Sequence, residues 1–245
     1  MLEEMPTRLE REPVLRRGEG GDDTTAIDEA AERVVLERFR PLGVSIVSEE
    51  VGRIEGGSTL VVVDPIDGSL NAKRGIPFFS LSIAIADGNR VDDVHFAYVY
   101  DFGSGEEWTA RRGEGAWLDG HPLGALRPKE QIEILMFEAT LTSLVAEHAA
   151  AFSGVAHRLR VMGSLALSLC HLAAGRVDGV CSLKEARSVD IAAGQLLCRE
   201  VGLPVALFDD PRPFGAAELD LERRSRIAAA GTQDLCRQIA DALSA

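Results

Sequence analysis

The sequence predicts a mixed α and β protein (α+β) built of layered sheets and helices. Three observations carry that expectation. Short, strand-like apolar runs and longer helical patterns both occur, but they do not follow the strict βαβ alternation of a doubly wound sheet. Hydrophobic residues make up 46% and charged residues 27% of the chain, the balance of a globular protein and not of a disordered one. The 245 residues suffice for one large domain or for two lobes around a shared core, and no internal repeat divides them otherwise.

Taken in order, the first turn-rich stretch is "RRGEGGDD", in which Gly18 to Asp23 read as a mobile loop. Thr24 or Thr25 then caps a helix whose spacing puts Ile27, Ala31, Val34 and Val35 on one face and charges on the other. "VSIVSEE" (44–50) is a short strand ending on Glu49 and Glu50, and "TLVVVD" (59–64) is a second, more buried one. "LSIAIAD" (81–87) and "VHFAYVYD" (94–101) alternate as neighbouring strands do, and "GEEWTARRGEGAWLDGHPL" reads as a hairpin with a glycine turn near 113–115. "LRPKEQ" (126–131), polar and containing proline, marks the expected boundary between an N-terminal lobe, 1–128, and a C-terminal lobe, 129–245. Beyond it come strand-like "IEILMFEAT", a helix near 142–152, a largely apolar helix in "SLALSLCHLAAG" and the strand "VDGVCSL". "SVDIAAGQLLCREVG" is a further helix, capped by Ser188 and ended by Gly202, and the chain returns through "RIAAAG" to a final amphipathic helix.

Charge and composition exclude several classes. A formal net charge of −13 argues against nucleic acid as the main partner, because phosphate backbones call for clustered Lys and Arg. No apolar stretch approaches the ~20 residues of a membrane span, and the charged N-terminus lacks the apolar core of a signal peptide. The cysteines at 170, 181, 198 and 236 show no CxxC spacing, so they read as small buried residues in a reduced, cytoplasmic compartment. The five histidines form neither HxH nor HExxH.

The chemistry gathers in acids at the ends of apolar elements. Val61, Val62 and Val63 run into Asp64, with Asp67 three residues later; Glu49 and Glu50 follow another strand; Asp190 opens a helix. Each has an ordinary reading alone: Asp64-Pro65 starts turns and Asp67-Gly68 ends them, Glu49-Glu50 suits a solvated strand end, and Asp190 suits the helix dipole. Their joint presence, with a Gly-Ser whose N–H groups can hold a phosphate, favours a metal site. Carboxylates converging to ~4 Å repel by about 4 kcal/mol per pair at an effective dielectric near 20, which cations offset. Hard oxygen ligands select Mg²⁺ or Mn²⁺.

"DPIDGSLN" resembles the DPIDGT-x-N signature of the inositol monophosphatase and fructose-1,6-bisphosphatase superfamily. "SEE" at 48–50 resembles its upstream Glu-Glu element and "SVDIAAG" at 188–194 its downstream WDxAAG element, in the same order and spacing from about Gly20 onwards. "NAKRGIP", "VMGSLALSLCHLAAG" and "SLKEARSVDIAAG" look most like the archaeal branch, whose members often hydrolyse both fructose 1,6-bisphosphate and inositol 1-phosphate. The resemblance implies an αβαβα sandwich of the sugar-phosphatase type and a homodimer. It implies two or three Mg²⁺ ions, with Mn²⁺ as a substitute, held by Glu49, Asp64, Asp67, Asp190 and the carbonyl of Ile66. The N–H groups of Gly68 and Ser69 would hold the phosphate of a small phosphorylated metabolite, and Asp67 would contribute to substrate binding as well. Asp28 and the Ser69 hydroxyl would orient the attacking water, with no phosphoenzyme. Arg160, Leu165 and Lys184 fall where archaeal members contact the sugar or its second phosphate, and Gly18 to Asp23 match the family's mobile catalytic loop.

Three positions depart from the pattern. Ser69 replaces threonine but keeps the hydroxyl, Val189 replaces the aromatic residue before Asp190, and the segment ahead of Gly18 is shorter than the family's opening helix. Related substrates within the superfamily are NADP and 3′-phosphoadenosine 5′-phosphate. The chemical rival, an aspartyl nucleophile in DxDxT, needs acids two apart, whereas Asp64 and Asp67 are three apart. The rival from another class is a catalytically silent binding or regulatory homologue.

Overall fold

The chain opens with a short helix α1 (Arg8–Arg11), a hairpin of β1 (Val14–Arg17) and β2 (Asp23–Thr25), and helix α2 (Ala26–Phe39). The structure, a computed structural model, describes residues 4–125, 127, 129–138, 141–210, 212–222 and 225–244. Of the stretches read above, Leu126 and Pro128 in the expected lobe boundary, and Ala139 and Thr140 after the strand at 132, lie outside the described residues. The loop expected at 18–23 is the turn of the first hairpin. Gly18 donates its N–H to the Asp22 carbonyl at 2.9 Å, and the Gly20 N–H reaches across to the Glu49 carbonyl at 2.8 Å.

Thr25 caps α2, and Asp28 three residues on accepts the Thr25 N–H at 2.9 Å, closing a capping box. Ile27, Ala31 and Val35 are buried as expected, but Val34 is 43% exposed, and the acids Asp28 and Glu32 are buried instead of facing solvent. The reason is that each has polar partners inside: Ser48 donates to Glu32 at 2.6 Å, and the Thr25 hydroxyl donates to Asp28 at 2.5 Å.

The first large sheet contains β3 (Ser45–Ser48), β4 (Gly52–Ile54), β5 (Leu60–Asp67), then, after helix α3 (Ser69–Arg74), β6 (Ser80–Ala86), β7 (Val94–Asp101), β8 (Glu107–Arg111), β9 (Gly115–Leu118) and β10 (His121–Pro122). Its order is β10-β9-β8-β7-β6-β5-β3-β4, antiparallel except for the parallel β3–β5 pair. The second sheet follows with β11 (Ile132–Glu138), helix α4 (Thr142–His148), β12 (Ala156–Arg160), helix α5 (Leu165–Ala173), β13 (Gly179–Ser182), helix α6 (Ser188–Glu200), β14 (Val205–Leu207), β15 (Ile227–Ala230) and helix α7 (Gln233–Ser244). Its order is β12-β11-β13-β15-β14, with β12, β11 and β13 parallel.

Helices α5 and α6 lie between the sheets, α2 covers the outer face of the first sheet and α7 the outer face of the second. Five layers, αβαβα, result. This explains the unbroken apolar run of β5: Val61 and Val63 pack against Val35 of α2, while Leu60 and Val62 face α5 and α6. The "AAG" of α6 has an equally local cause. A β-carbon at Gly194 would stand 2.8 Å from Leu169 Cβ, so only glycine lets α6 approach α5 this closely. All four cysteines are free and buried, as their spacing predicts.

Candidate metal centre

The end of β5 carries a bulge. Asp64 pairs with Ser82 and Asp67 with Ser80, three steps on β5 against two on β6. In an unbroken strand, residues three apart point to opposite faces. The extra residue at Pro65-Ile66 restores a common side, and a bulge is where a strand tolerates proline. Asp64 and Asp67 therefore both line one cavity of about 280 Å³. The Ile66 N–H, at the bulge, donates to Asp64 Oδ1 at 3.0 Å.

Glu49 reaches the same place because β3 runs parallel beside β5, with Ser48 level with Val63. Asp190 arrives from the other side of the cavity, as the third residue of α6. One carboxylate oxygen each from Glu49, Asp64 and Asp190 lies within 4.8 Å of the others. Asp67 is held apart from these three: Ser164 Oγ donates to Asp67 Oδ2 at 2.6 Å and the Ala166 N–H at 2.7 Å. Gly68, with φ 90° and ψ 37°, starts α3 in the left-handed region. A β-carbon there would meet the Gly163 carbonyl at 3.0 Å, so the turn demands glycine twice over.

Burial disfavours the charged form of an acid, and it raises Glu49, Asp64 and Asp67. Glu49 is pushed up to about 8, by burial first and by Asp190 and Glu50 against the pull of Arg187. Asp67 rises to about 6 through burial, opposed by the Ser164 hydrogen bond. Asp64 is raised well above the usual carboxylate range by burial and then by Glu49. All contributors are oxygens, and the cavity lining contains no histidine or cysteine among the described residues. That donor set fits a hard divalent cation.

The remaining expected residues divide. Asp28, Gly68, Ser69, Leu165 and Lys184 line the same cavity, as do Ile66 and Asp67. Asp28 is buried and its Oδ2 also accepts the Thr25 hydroxyl at 2.5 Å. Arg160 does not line it. It ends the edge strand β12, exposed, with Nη1 donating to the Leu159 carbonyl at 2.9 Å. The expected Ser188 cap is also corrected: Arg187 occupies the cap position, its N–H donating to Asp190 Oδ2 at 2.7 Å, while Ser188 donates to the Asp220 carbonyl.

Two residues of the site escaped the sequence reading. Arg187, 7% exposed, places Nη2 2.7 Å from Glu49 Oε1 and 3.1 Å from Asp190 Oδ1. Nothing in its local sequence distinguishes it from a surface arginine. Glu138, at the end of β11, lines the cavity, accepts the Gly163 N–H at 2.9 Å and the Ser168 hydroxyl at 2.5 Å, and is pushed up to about 8 by burial. It had a signal: "ILMFE" ends an apolar strand on an acid, just as "LVVVD" does.

Both the sequence and the fold have counterparts among known proteins. The profile of the "Inositol monophosphatase family" matches residues 3–244. The fructose-1,6-bisphosphatase/inositol-1-monophosphatase of Thermococcus kodakarensis is 35% identical over 227 residues, covering 91% of this chain and 84% of its own. The Nus factor SuhB of Escherichia coli is 31% identical over 233 residues, covering 91% and 85%. Among solved structures, an inositol monophosphatase–fructose 1,6 bisphosphatase gene product superposes with a TM-score of 0.86 at 27% identity, over 99% of this chain and 93% of that one.

Proposed function

The chain belongs to the inositol monophosphatase family and is a phosphatase, and from that premise we propose that it hydrolyses fructose 1,6-bisphosphate and inositol 1-phosphate with Mg²⁺ as its metal. The observation that carries this reading is the convergence of Glu49, Asp64 and Asp190 within 4.8 Å, in one cavity with Gly68 and Ser69. The Thermococcus relative named for both activities supports the pair of substrates.

In this reading Glu49, Asp64, Asp67, Asp190 and the Ile66 carbonyl hold the metal. Bound divalent ions supply Lewis acidity, which strengthens water as a nucleophile and neutralises charge on the phosphoryl group and its leaving oxygen. The Gly68 and Ser69 N–H groups hold the phosphate, a task suited to preorganised backbone dipoles. Asp28, fixed by the Thr25 N–H and hydroxyl, orients the attacking water together with the Ser69 hydroxyl and accepts its proton. Leu165 and Lys184 contact the rest of the substrate.

The test is phosphate release from fructose 1,6-bisphosphate, inositol 1-phosphate, NADP and 3′-phosphoadenosine 5′-phosphate, with Mg²⁺ and with added Li⁺. Preference for the first two supports the reading. Equal, weak rates on all four would reject it as the natural activity.

A further inference from the structure

We propose that Arg187 is the resident counter-ion of the acid cluster: it holds Glu49 and Asp190 in the metal-free protein, competes with the divalent cation for them, and releases Glu49 when the metal enters. The proposal rests on the metal reading of Glu49, Asp64 and Asp190.

The guanidinium is buried at the junction of three segments. Nη2 contacts Glu49 Oε1 at 2.7 Å and Asp190 Oδ1 at 3.1 Å, and Nε lies 3.4 Å from Asp190 Oδ2. Nη1 reaches the Gly20 carbonyl at 3.2 Å and Asp22 Oδ2 at 3.5 Å. No other cation pairs with Glu49 or Asp190 among the described residues; Lys73 and Lys184 line the cavity without an ion pair to them. Buried acids left without a partner are strongly destabilising, so a metal-free state with this cluster needs a positive charge of its own. Arginine suits that role because its fork spans two carboxylates and stays charged when desolvated.

The same contact makes Arg187 a competitor. Glu49, Asp64, Asp67 and Asp190 carry four negative charges at full ionisation, and one guanidinium offsets a quarter of that. A divalent cation bound to the Glu49 carboxylate would repel the guanidinium that sits 2.7 Å from Oε1, so the favourable arrangement on loading moves Arg187 off Glu49. Its contacts to Gly20 and Asp22 in the 18–22 turn provide a neighbouring place to stay.

Arg187→Gln separates this role from a merely structural one, because loss of scaffolding weakens metal binding whereas loss of a competing charge tightens it. Calorimetric titration of metal-free protein with Mg²⁺ alone at pH 8.5 is expected to show binding roughly tenfold tighter in Arg187→Gln than in wild type, the size of a net electrostatic change near 1.4 kcal/mol. The metal-free variant unfolds at a lower temperature than metal-free wild type, and its gain on adding Mg²⁺ is larger. Unchanged or weaker Mg²⁺ binding overturns the proposal. Should the variant fail to fold, wild-type crystals grown with and without Mg²⁺ decide the matter: the Nη2–Glu49 contact is expected only without the metal, and its persistence with Mg²⁺ overturns the proposal. Absence of Mg²⁺ binding by wild type would reject the metal reading itself, and the proposal with it.

Discussion

Ser164 donates its hydroxyl to Asp67 at 2.6 Å, joining the end of a strand in the first sheet to the start of the helix that follows the second sheet's edge strand. The same oxygen accepts the Ala166 N–H at 2.7 Å, and Ser164 also caps α5 through the Leu167 N–H at 3.3 Å. One side chain thus fixes a helix start and aims an acid. Ser164→Ala is expected to lower stability by about 2 kcal/mol, a charge-assisted hydrogen bond plus part of a cap. Denaturant unfolding measures it, and a loss under about 0.5 kcal/mol would show that Asp67 finds another donor.

Asp64 illustrates the opposition between stability and function. Burial and three acidic neighbours raise its pKa, so removing its charge relieves repulsion of about 4 kcal/mol per ionised pair at ~4 Å. Asp64→Asn is expected to be at least as heat-stable as wild type in chelator, to lose most of the stabilisation by Mg²⁺, and to release no phosphate. Asp190→Asn loses turnover as well. Wild-type turnover by either variant contradicts the assignment.

Glu138, which is not one of the proposed ligands, adds its own pH dependence to theirs. Folded, it keeps its proton up to about pH 8, whereas in the unfolded chain it releases the proton near 4.5. The folded state therefore binds more protons across that window, and this contribution is complete below 4.5 and lost as pH rises through about 8. Metal-free protein should melt at progressively lower temperature between those values. Glu138→Gln should flatten the trend, and a slope equal to wild type would remove Glu138 as its source.

Gly194 offers a packing test. An added β-carbon would lie 2.8 Å from both Cβ and Cδ1 of Leu169. Alanine improves helix propensity by about 1 kcal/mol, yet overpacking of about 1–3 kcal/mol outweighs it. Gly194→Ala should lower the melting temperature, and a rise would mean that α5 and α6 separate easily.

Substrate contacts are separable by assay. Lys184 lines the cavity and Arg160 does not. Lys184→Ala is expected to raise KM for fructose 1,6-bisphosphate several-fold, and Arg160→Ala to leave kcat/KM within about twofold. The reverse pattern would relocate the substrate's distal end toward β12.

Most strands and helices were legible because their patterns are local: β5 as an unbroken apolar run, β6 as alternation, α7 as an amphipathic repeat. The acids Glu49, Asp64 and Asp190 were legible too, since each follows or opens an element whose end is marked in the chain. By itself the sequence determined which acids stand at the ends of apolar elements and the layered class that presents them. Only the tertiary structure decided that the Pro65 bulge turns Asp64 and Asp67 to one side, that Arg160 stays outside, and that Arg187 and Glu138 join the site. The physical reason is that a motif specifies side chains and local backbone, whereas burial, counter-ions and shared cavities arise between segments as far apart as Gly20 and Arg187, whose meeting depends on how two sheets close around two helices.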